Sequence, residues 1–184
     1  MALRILAESR WPAPDDPVGL EPPPLPGFTA SSFNPLVAAT AERCLRAHFG
    51  TDPGTNAVPG RTALLLSSRS GDRATALAID TAAASDRRMP PLLFFQSNPN
   101  AVLGHIAARH RLTGPVVAVS PGPGPDTAVH GTVPADALAL AELLLADGDA
   151  DLVLVIAAEQ ADPAESSPLP EHRDRAAAVL VTTA

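Results

Sequence analysis

The chain has 184 residues, which fits one domain spanning 1–184, because soluble domains cluster around ~100 to 150 residues. Apolar residues make up 46%, yet only six side chains are aromatic, so Ala, Leu and Val must build most of the core. The net charge is -7, all thirteen basic residues are Arg, and the sequence contains neither Lys nor Tyr. This composition excludes a Schiff-base or P-loop lysine and a catalytic tyrosine, and it is not typical of a nucleic-acid binder.

The location of the protein is predicted from what the sequence does not contain. No apolar run approaches the ~18 residues that would span a bilayer. The apolar patch at 3–7 is too short for the core of a secretory signal, and a proline-rich stretch follows it. Cys44 is the one cysteine, so neither an internal disulfide nor a Cys-based zinc set can form. We therefore expect a cytoplasmic protein.

The first fifty residues predict a strand, a crossing segment and a helix. Residues 1–11 alternate enough for a strand, and the prolines of 12–27 then make an extended crossing segment. A helix is expected to follow, with Ser32 or Asn34 as N-cap, Pro35 in the first turn and Gly50 past its end. Its apolar face is predicted to contain Leu36, Ala39, Cys44 and Ala47. Cys44 is therefore expected to be a packing residue rather than a reactive thiol.

The rest of the chain alternates between strand and helix patterns. Short apolar runs predict strands at 61–68, 114–120, 151–159 and 176–183, the first three covered on both faces. Helices are predicted at 72–84, at 98–110 with Asn98 as cap, and at 134–146. This alternation predicts a layered α/β fold with a mostly parallel, mixed five-stranded sheet.

Six stretches follow one another in an order that is typical of one enzyme family. They are W-P-A-P at 11–14, F-x-S-x-x-N-A-x-x-G-x-I-A at 95–107, L-T-G-P at 112–115, V-S at 119–120, LADGDADLVLVIAAEQADP at 145–163 and RAAAVLVTT at 175–183. In this order the chain resembles the N-terminal half of a β-ketoacyl synthase. More narrowly, it resembles the ketosynthase-like domains that occur alone or in chain-length-factor-like proteins of bacterial polyketide and aryl-polyene pathways. The resemblance covers nearly the whole chain and implies a single thiolase-like half.

The resemblance also locates a turn that has lost its nucleophile. In the family, the V-S strand leads into a turn whose cysteine takes the acyl chain as a thiolate at a helix N-terminus. Here the turn reads Ser120, Pro121, Gly122, Pro123 and Gly124, and Pro123 occupies the place implied for the cysteine. Proline supplies neither a nucleophile nor a backbone N–H for an oxyanion. The family's catalytic histidines belong to its C-terminal half, so no catalytic residue is carried over.

Other active-site interpretations use residues of the same loop. Ser120, Asp126 and His130 have the residue types of a hydrolytic triad, but three members within one Pro/Gly loop rarely converge. The G-P-G-P of residues 122–125 is similar to a dinucleotide loop, but Thr127 occupies its third glycine position and proline lacks the N–H that phosphate needs.

Two histidines and two pairs of arginines are the remaining candidates. His105 and His110 lie five residues apart on one predicted helix and should face different ways, so exposed or capping histidines are favoured over a metal pair. Arg87 with Arg88, and Arg109 with Arg111, fit solvated helix ends or a contact with an acidic acyl carrier protein. We expect neither a metal nor a cofactor.

Three functional hypotheses follow. The first is a non-catalytic ketosynthase-like subunit that pairs with itself, a ketosynthase or a chain-length factor, with the segments 115–120 and 134–146 buried in the oligomer. For most leucines of 134–146, however, packing in the domain's own core is favoured over burial in the oligomer. The second is an enzyme that dehydrates or isomerises a carrier-bound acyl chain, using His105, His110, Asp126 or His130. The third is a decayed fragment without a role.

Overall fold

A five-stranded sheet with helices on both faces organises the protein. The computed structural model describes residues 2–50, 60–85, 91–122, 132–161 and 173–184. The strands are β1 (Leu3–Trp11), β2 (Thr62–Ser67), β3 (Val116–Val119), β4 (Leu152–Glu159) and β5 (Arg175–Thr183). The helices are α1 (Phe33–Phe49), α2 (Arg73–Ala84), α3 (Pro91–Gln96), α4 (Pro99–His110) and α5 (Ala135–Ala146). The predicted α/β class is confirmed.

The strand order is β1-β5-β4-β2-β3. β2 pairs in parallel with both β3 and β4, whereas β5 is antiparallel to both β1 and β4. Four strands therefore run in one direction and β5 runs against them, which confirms the mostly parallel mixed sheet. Because β2, β3 and β4 are parallel, their carboxyl ends lie at the same side of the sheet, which we call the carboxyl edge.

Alternating side chains of the strands form two cores. Leu154 and Ile156 of β4 face α1 and α4 in the larger core. Val153 and Val155 face α5 on the other side of the sheet. Because both faces of β2 and β4 are covered, these strands are continuous apolar runs, as expected for the inner strands of such a sheet.

Helix α1 agrees with the sequence except in its last turn. It follows Ser32 at the N-cap position and ends at Phe49, and the next residue, Gly50, has a φ of 90° that favours glycine. Cys44 is fully buried, as predicted. The prediction that Ala47 lies on the apolar face is wrong, because residues 46–48, at the end of the helix, are all exposed.

Strand β3 differs from its prediction as an inner strand covered on both faces. Among the described strands it is the outermost at its side of the sheet, it is only four residues long, and Val116 is 40% exposed. A short apolar run does not distinguish an edge strand from a central one, which explains the error.

Helices α2 and α3 are the least buried of the described helices. Thr75 is the buried residue of α2, and Gln96 is that of α3. Four large apolar side chains of these helices are exposed: Leu77, Leu92, Phe94 and Phe95. None of the helices formed by the described residues is both long and apolar enough to cross a membrane.

Candidate functional site

The carboxyl edge of the sheet is the first candidate region, because ligands of open α/β sheets bind where neighbouring strands send their connections in opposite directions. Here β2 continues towards β3, while its neighbour β4 continues towards β5. The Glu159 carboxylate at the end of β4 accepts hydrogen bonds from the Arg69 N–H (2.6 Å) and the Ser70 N–H (3.1 Å). It also accepts from the Ser70 hydroxyl at 2.7 Å. The loop after β2 is therefore tied to β4 by its own backbone donors.

The turn after β3 is described as far as Gly122. Ser120 and Gly122 are exposed, and Pro121 is half-buried. The Gly122 N–H donates to the Asp136 carboxylate at 2.7 Å, which ties the turn to the first turn of α5. The remaining predicted site residues of this loop, Pro123, Gly124, Asp126 and His130, lie outside the described residues.

The L-T-G-P stretch before β3 requires a glycine for steric reasons. A Cβ on Gly114 would lie 2.5 Å from the Ala63 nitrogen and 2.5 Å from the Thr62 carbonyl carbon. The Gly114 N–H donates to the Thr62 oxygen at 3.1 Å. This glycine therefore lets the chain pass close to β2 as it enters β3.

A buried polar cluster joins the first three helices near the carboxyl edge. Asp72 caps α2 by accepting from the Thr75 N–H at 2.9 Å. The Asn34 amide of α1 donates to Asp72 at 3.2 Å and to the Gln96 carbonyl, also at 3.2 Å. Because each partner belongs to a different helix, the cluster fixes the N-terminus of α1 against α2 and α3.

The second candidate region is a cavity of about 680 Å³ between the segment 12–27, α1 and α4, which we call the proline groove. One wall is the proline-rich segment, the floor is α1, and the other wall is α4. Apolar groups dominate its surface, and ionisable side chains come from both helices. The lining residues are Trp11, Leu20, Glu21, Pro23, Pro24, Leu25, Pro26, Pro35, Ala38, Ala39, Glu42, Arg43, Arg46, His105, Ile106, Arg109 and His110.

Glu42 is the centre of the charges in the proline groove. Its carboxylate lies 2.5 Å from the Arg46 guanidinium and 3.1 Å from that of Arg109. Burial by itself would raise the pKa of Glu42, but the hydrogen bond from Arg109 and the two guanidinium charges outweigh it and lower the pKa. The carboxylate is therefore ionised at neutral pH and joins α1 to α4.

His110 corrects the expectation of exposed or capping histidines. Its side chain is 3% exposed, and its Nε2 lies 4.0 Å from the Glu42 carboxylate. Burial lowers the pKa of His110 more than the Glu42 charge raises it, so the imidazole is neutral at pH 7. His105, which also lines the groove, packs edge-on against Phe28 with ring centroids 5.9 Å apart. The histidine became buried because α4 packs against α1, a contact between helices that helical spacing alone does not reveal.

Arg43 holds the proline-rich segment in place. Its guanidinium lies 3.8 Å from the centre of the Trp11 ring and pairs with the Asp16 carboxylate at 2.7 and 3.1 Å. It also donates to the Arg10 carbonyl at 3.1 Å. A second cavity, of about 630 Å³, shares Trp11, Leu20, Glu21 and Pro35 with the proline groove. Segment 12–27 therefore separates two cavities while anchored on α1 and β1.

One of the two predicted arginine pairs lies in the described part of the chain. Arg109 is engaged by Glu42, whereas Arg111 is exposed and ends α4 with a φ of 54°. Arg87 and Arg88 lie outside the described residues. Within the described part of the chain, no group of three His, Cys, Asp or Glu side chains could hold a metal ion.

The sequence did not point to several residues that shape these regions. Glu42 and Arg46 are spaced as an ordinary surface ion pair on a helix, and only the fold brings Arg109 and His110 to the same carboxylate. Trp11 and Arg43 are also far apart in sequence. The proline-rich segment was the one available signal, since such a stretch must cross the surface.

Comparisons with known proteins identify the fold. No protein-family model matches the sequence, and no curated protein does either. Among solved structures, the complex of the ketosynthase ApeO with its chain length factor ApeC from Xenorhabdus doucetiae matches all of this chain at 20% identity, with a TM-score of 0.68. The chain has a ketosynthase-like, thiolase-like fold. This confirms the resemblance inferred from the order of its segments.

Two further structures show how much of a larger molecule this fold represents. The ishigamide ketosynthase/chain length factor matches 93% of this chain at 20% identity, with a TM-score of 0.65. A beta-ketoacyl synthase from Burkholderia phymatum matches 80% at 19% identity, with a TM-score of 0.57. The match covers 80% of the chain from the Xenorhabdus complex but only 49% and 42% of the other two. The chain thus spans less than half the length of these two synthase chains.

Proposed function

We propose that this protein is a non-catalytic, ketosynthase-like subunit of a bacterial type II polyketide, polyene or fatty-acid-like synthase. It associates with a ketosynthase or chain-length-factor subunit and helps to shape or stabilise the complex. The observation that carries the proposal is the position of β3 at the outer edge of the described sheet, with Val116 exposed, in a chain with a ketosynthase-like fold.

The backbone of β3 offers groups for pairing with another strand. The Leu64 N–H donates to the Pro115 oxygen at 2.8 Å, and the Ser68 N–H donates to the Val119 oxygen at 3.1 Å. Because backbone groups alternate in direction along a strand, those of Val116 and Ala118 point away from β2. The strand sequence V-V-A-V contains no charge and no proline that would discourage a further strand.

Exposed apolar helix surfaces add to the support for association. In α5, Asp136 and Glu142 are the only ionisable residues, and Leu143 is 58% exposed. A helix that is apolar on most sides usually lies between two packed layers. On α3, Phe94 is 62% exposed and Phe95 67% exposed, although the chain has only six aromatic residues. Such patches in soluble proteins often mark partner surfaces.

The lack of a usable thiol supports a non-catalytic function. By the sequence resemblance, Pro123 stands at the position where the family has its nucleophilic cysteine. Proline cannot accept an acyl chain. Cys44 does not substitute for it, because burial raises the pKa of this thiol to about 12 and the side chain is fully buried. A thiolate nucleophile needs both access and a lowered pKa.

Co-purification with candidate synthase subunits tests the proposal. The tagged chain is co-expressed with a candidate ketosynthase or chain-length-factor subunit, and the mass of the purified assembly is measured. We expect one defined complex and a change in product yield or chain length when the gene is deleted. A strictly monomeric protein whose deletion changes neither yield nor chain length would contradict the proposal.

Contact with an acyl carrier protein is a finer part of the proposal. Arg111 is exposed at the end of α4, where it can meet an acidic surface. Arg109 contributes less, since Glu42 already accepts its hydrogen bonds. Substitution of Arg111 by Glu should weaken carrier binding more than the same change at Arg109, as measured by titration calorimetry.

One observation favours a second candidate, an enzyme that dehydrates or isomerises a carrier-bound acyl chain. His110 is buried and neutral beside a cavity of about 680 Å³. A neutral imidazole in such a site can act as a general base. Joint alanine substitution of His105, His110, Asp126 and His130 tests this candidate, and unchanged activity on acyl-carrier substrates would exclude it.

A further inference from the structure

Residues 20–26 of the proline-rich segment form an extended stretch of backbone, which we call the polyproline stretch. A proline fixes its own φ at about −65°, and the residue before a proline is confined to extended backbone. No backbone–backbone hydrogen bond joins residues 21–24 to any other described residue. Both features are those of a polyproline helix, which has no internal hydrogen bonds. The prolines of the stretch are Pro22, Pro23, Pro24 and Pro26.

Burial along the polyproline stretch repeats every three residues. Pro22 and Leu25 are half-buried, and Phe28, three positions further on, is half-buried as well. All residues between them, and residues 20–21 before them, are exposed. Because a polyproline helix has three residues per turn, one of its sides lies against the protein and the other two face solvent. The rings on these two sides belong to Pro23, Pro24 and Pro26, which border the proline groove and are nevertheless exposed.

The polyproline stretch is held at both ends. Two turns, 17–20 and 25–28, bracket it, and each is closed by a backbone hydrogen bond, of 3.1 and 3.0 Å respectively. The Gln96 side chain of α3 also donates to the Gly27 carbonyl in the second turn. The stretch is therefore ordered before a partner binds, which reduces the entropy that binding has to remove.

Exposed proline rings on an ordered polyproline helix fit one known mode of peptide recognition. In that mode, aromatic side chains of a partner form a groove that packs against the rings. The carbonyls of residues 21–24 have no backbone partner, so they can accept hydrogen bonds from a Trp N–H or a Tyr O–H of the groove. Addition of a strand does not suit this surface, because proline lacks the N–H that a strand ladder needs.

We propose that the polyproline stretch is a docking site for a partner protein with an aromatic-lined groove. The rings of Pro23 and Pro24 enter this groove, while Pro22 and Leu25 stay against the protein. The site contains no residue of β3. It therefore goes beyond the proposed association and can be tested separately from it.

A WW domain, a small domain with such a groove, is the probe. It is chosen because it binds the free peptide of residues 20–27, and titration calorimetry measures its affinity for the intact chain. We expect the intact chain to bind at least as tightly as the peptide does, because the stretch is already ordered. Binding of the peptide without binding of the intact chain would overturn the proposal. So would an affinity that falls as the protein concentration rises, since a second copy of the chain would then cover the prolines.

Variants with a matched control locate the site. Pro23→Ala combined with Pro24→Ala should weaken binding of the probe at least about tenfold, since both rings are exposed. Pro14→Ala combined with Pro17→Ala removes two exposed prolines outside the polyproline stretch and should leave the affinity unchanged. Val116→Lys should also bind the probe normally, which separates this site from association through β3. Equal affinities of the two proline double variants, with folding verified by circular dichroism, would overturn the assignment.

Discussion

The two edge strands of the described sheet, β1 and β3, differ in length, charge and regularity. β1 has nine residues, pairs with β5 along its length and contains a register shift between Ile5 and Ala7. Exposed Arg4, Glu8 and Arg10 lie along it. β3 has four residues and no charged side chain.

This difference indicates which edge is available to another chain. Charges and bulges are the usual means by which an edge strand avoids pairing, and β1 has both. Helix α1 adds cover, because Arg43 donates to the Arg10 carbonyl and the Ser9 hydroxyl donates to the Thr40 carbonyl. β3 has neither a charge nor a bulge, and only its short length limits pairing with another strand. We infer that β1 closes the fold and that β3 is left for a partner.

The largest effect is expected in the alkylation rates of two thiols. One is the native Cys44 on α1, beneath β1, and the other is a cysteine introduced on β3. Cys44 lies under β1, with its thiol 3.6 Å from the Ala7 carbonyl. Burial raises the pKa of Cys44 from 9.0 to about 12, which leaves about a thousandfold less thiolate at neutral pH. Iodoacetamide should therefore alkylate Cys44 at least about a thousandfold more slowly than a free cysteine.

A second protein provides the control for this measurement. In the double variant Cys44→Ala, Val116→Cys, the single thiol lies on β3 and should be alkylated at nearly the rate of a free cysteine. Mass spectrometry of the timed reactions gives both rates. Similar rates for the two proteins would show that the edges do not differ in accessibility.

The next largest effect concerns stability. Trp11 at the end of β1 is 6% exposed and packs under Arg43. Trp11→Ala should lower the free energy of unfolding by about 3–5 kcal/mol. Val116→Ala on β3 should cost less than about 1 kcal/mol, since the side chain is already 40% exposed. Urea denaturation measures both, and a Val116→Ala loss as large as that of Trp11→Ala would contradict the proposed difference.

A smaller change in the free energy of unfolding is expected when the pH is lowered. It should come from ionisable groups between α1 and α4, because β3 has no ionisable side chain. Burial lowers the pKa of His110 below its ordinary 6.5, so the unfolded chain takes up the proton first and stability falls as pH drops below about 6.5. Glu42, with its lowered pKa, adds stability above pH 4.5 that is lost as the pH falls further.

Denaturation curves at several pH values between 7.5 and 5 test this effect. His110→Phe should flatten the pH dependence in this range. His48→Gln, at an exposed position of α1, is the matched control and should leave it unchanged. An unaltered slope in the His110 variant would show that this histidine is not the group responsible.

The sequence predicted the elements well because their signals are local. Continuous apolar runs revealed β2 and β4, and Asn98 followed by Pro99 marked the start of α4, where Asn98 accepts from the Asn100 N–H at 2.9 Å. The order of segments also led to the correct fold. These features depend on neighbouring residues and on their succession, which a single sequence contains.

The candidate sites were predicted less well because they depend on contacts between distant segments. The edge position of β3 follows from the strand order, which an apolar run does not encode. Likewise, Glu42 and His110 are 68 positions apart and meet only through the packing of α1 on α4. The buried histidine and the proline groove could therefore be recognised only in the folded chain.

The most direct test of the account compares one substitution at each edge. Val116→Lys and Ile5→Lys both place a charge at an exposed β-branched residue, 40% exposed on β3 and 57% exposed on β1. Each variant is co-purified with the ketosynthase subunit, and the mass of the assembly is measured after circular dichroism confirms folding. We expect Val116→Lys to abolish the complex and Ile5→Lys to retain it. An intact complex with folded Val116→Lys would contradict the claim that β3 is the associating edge.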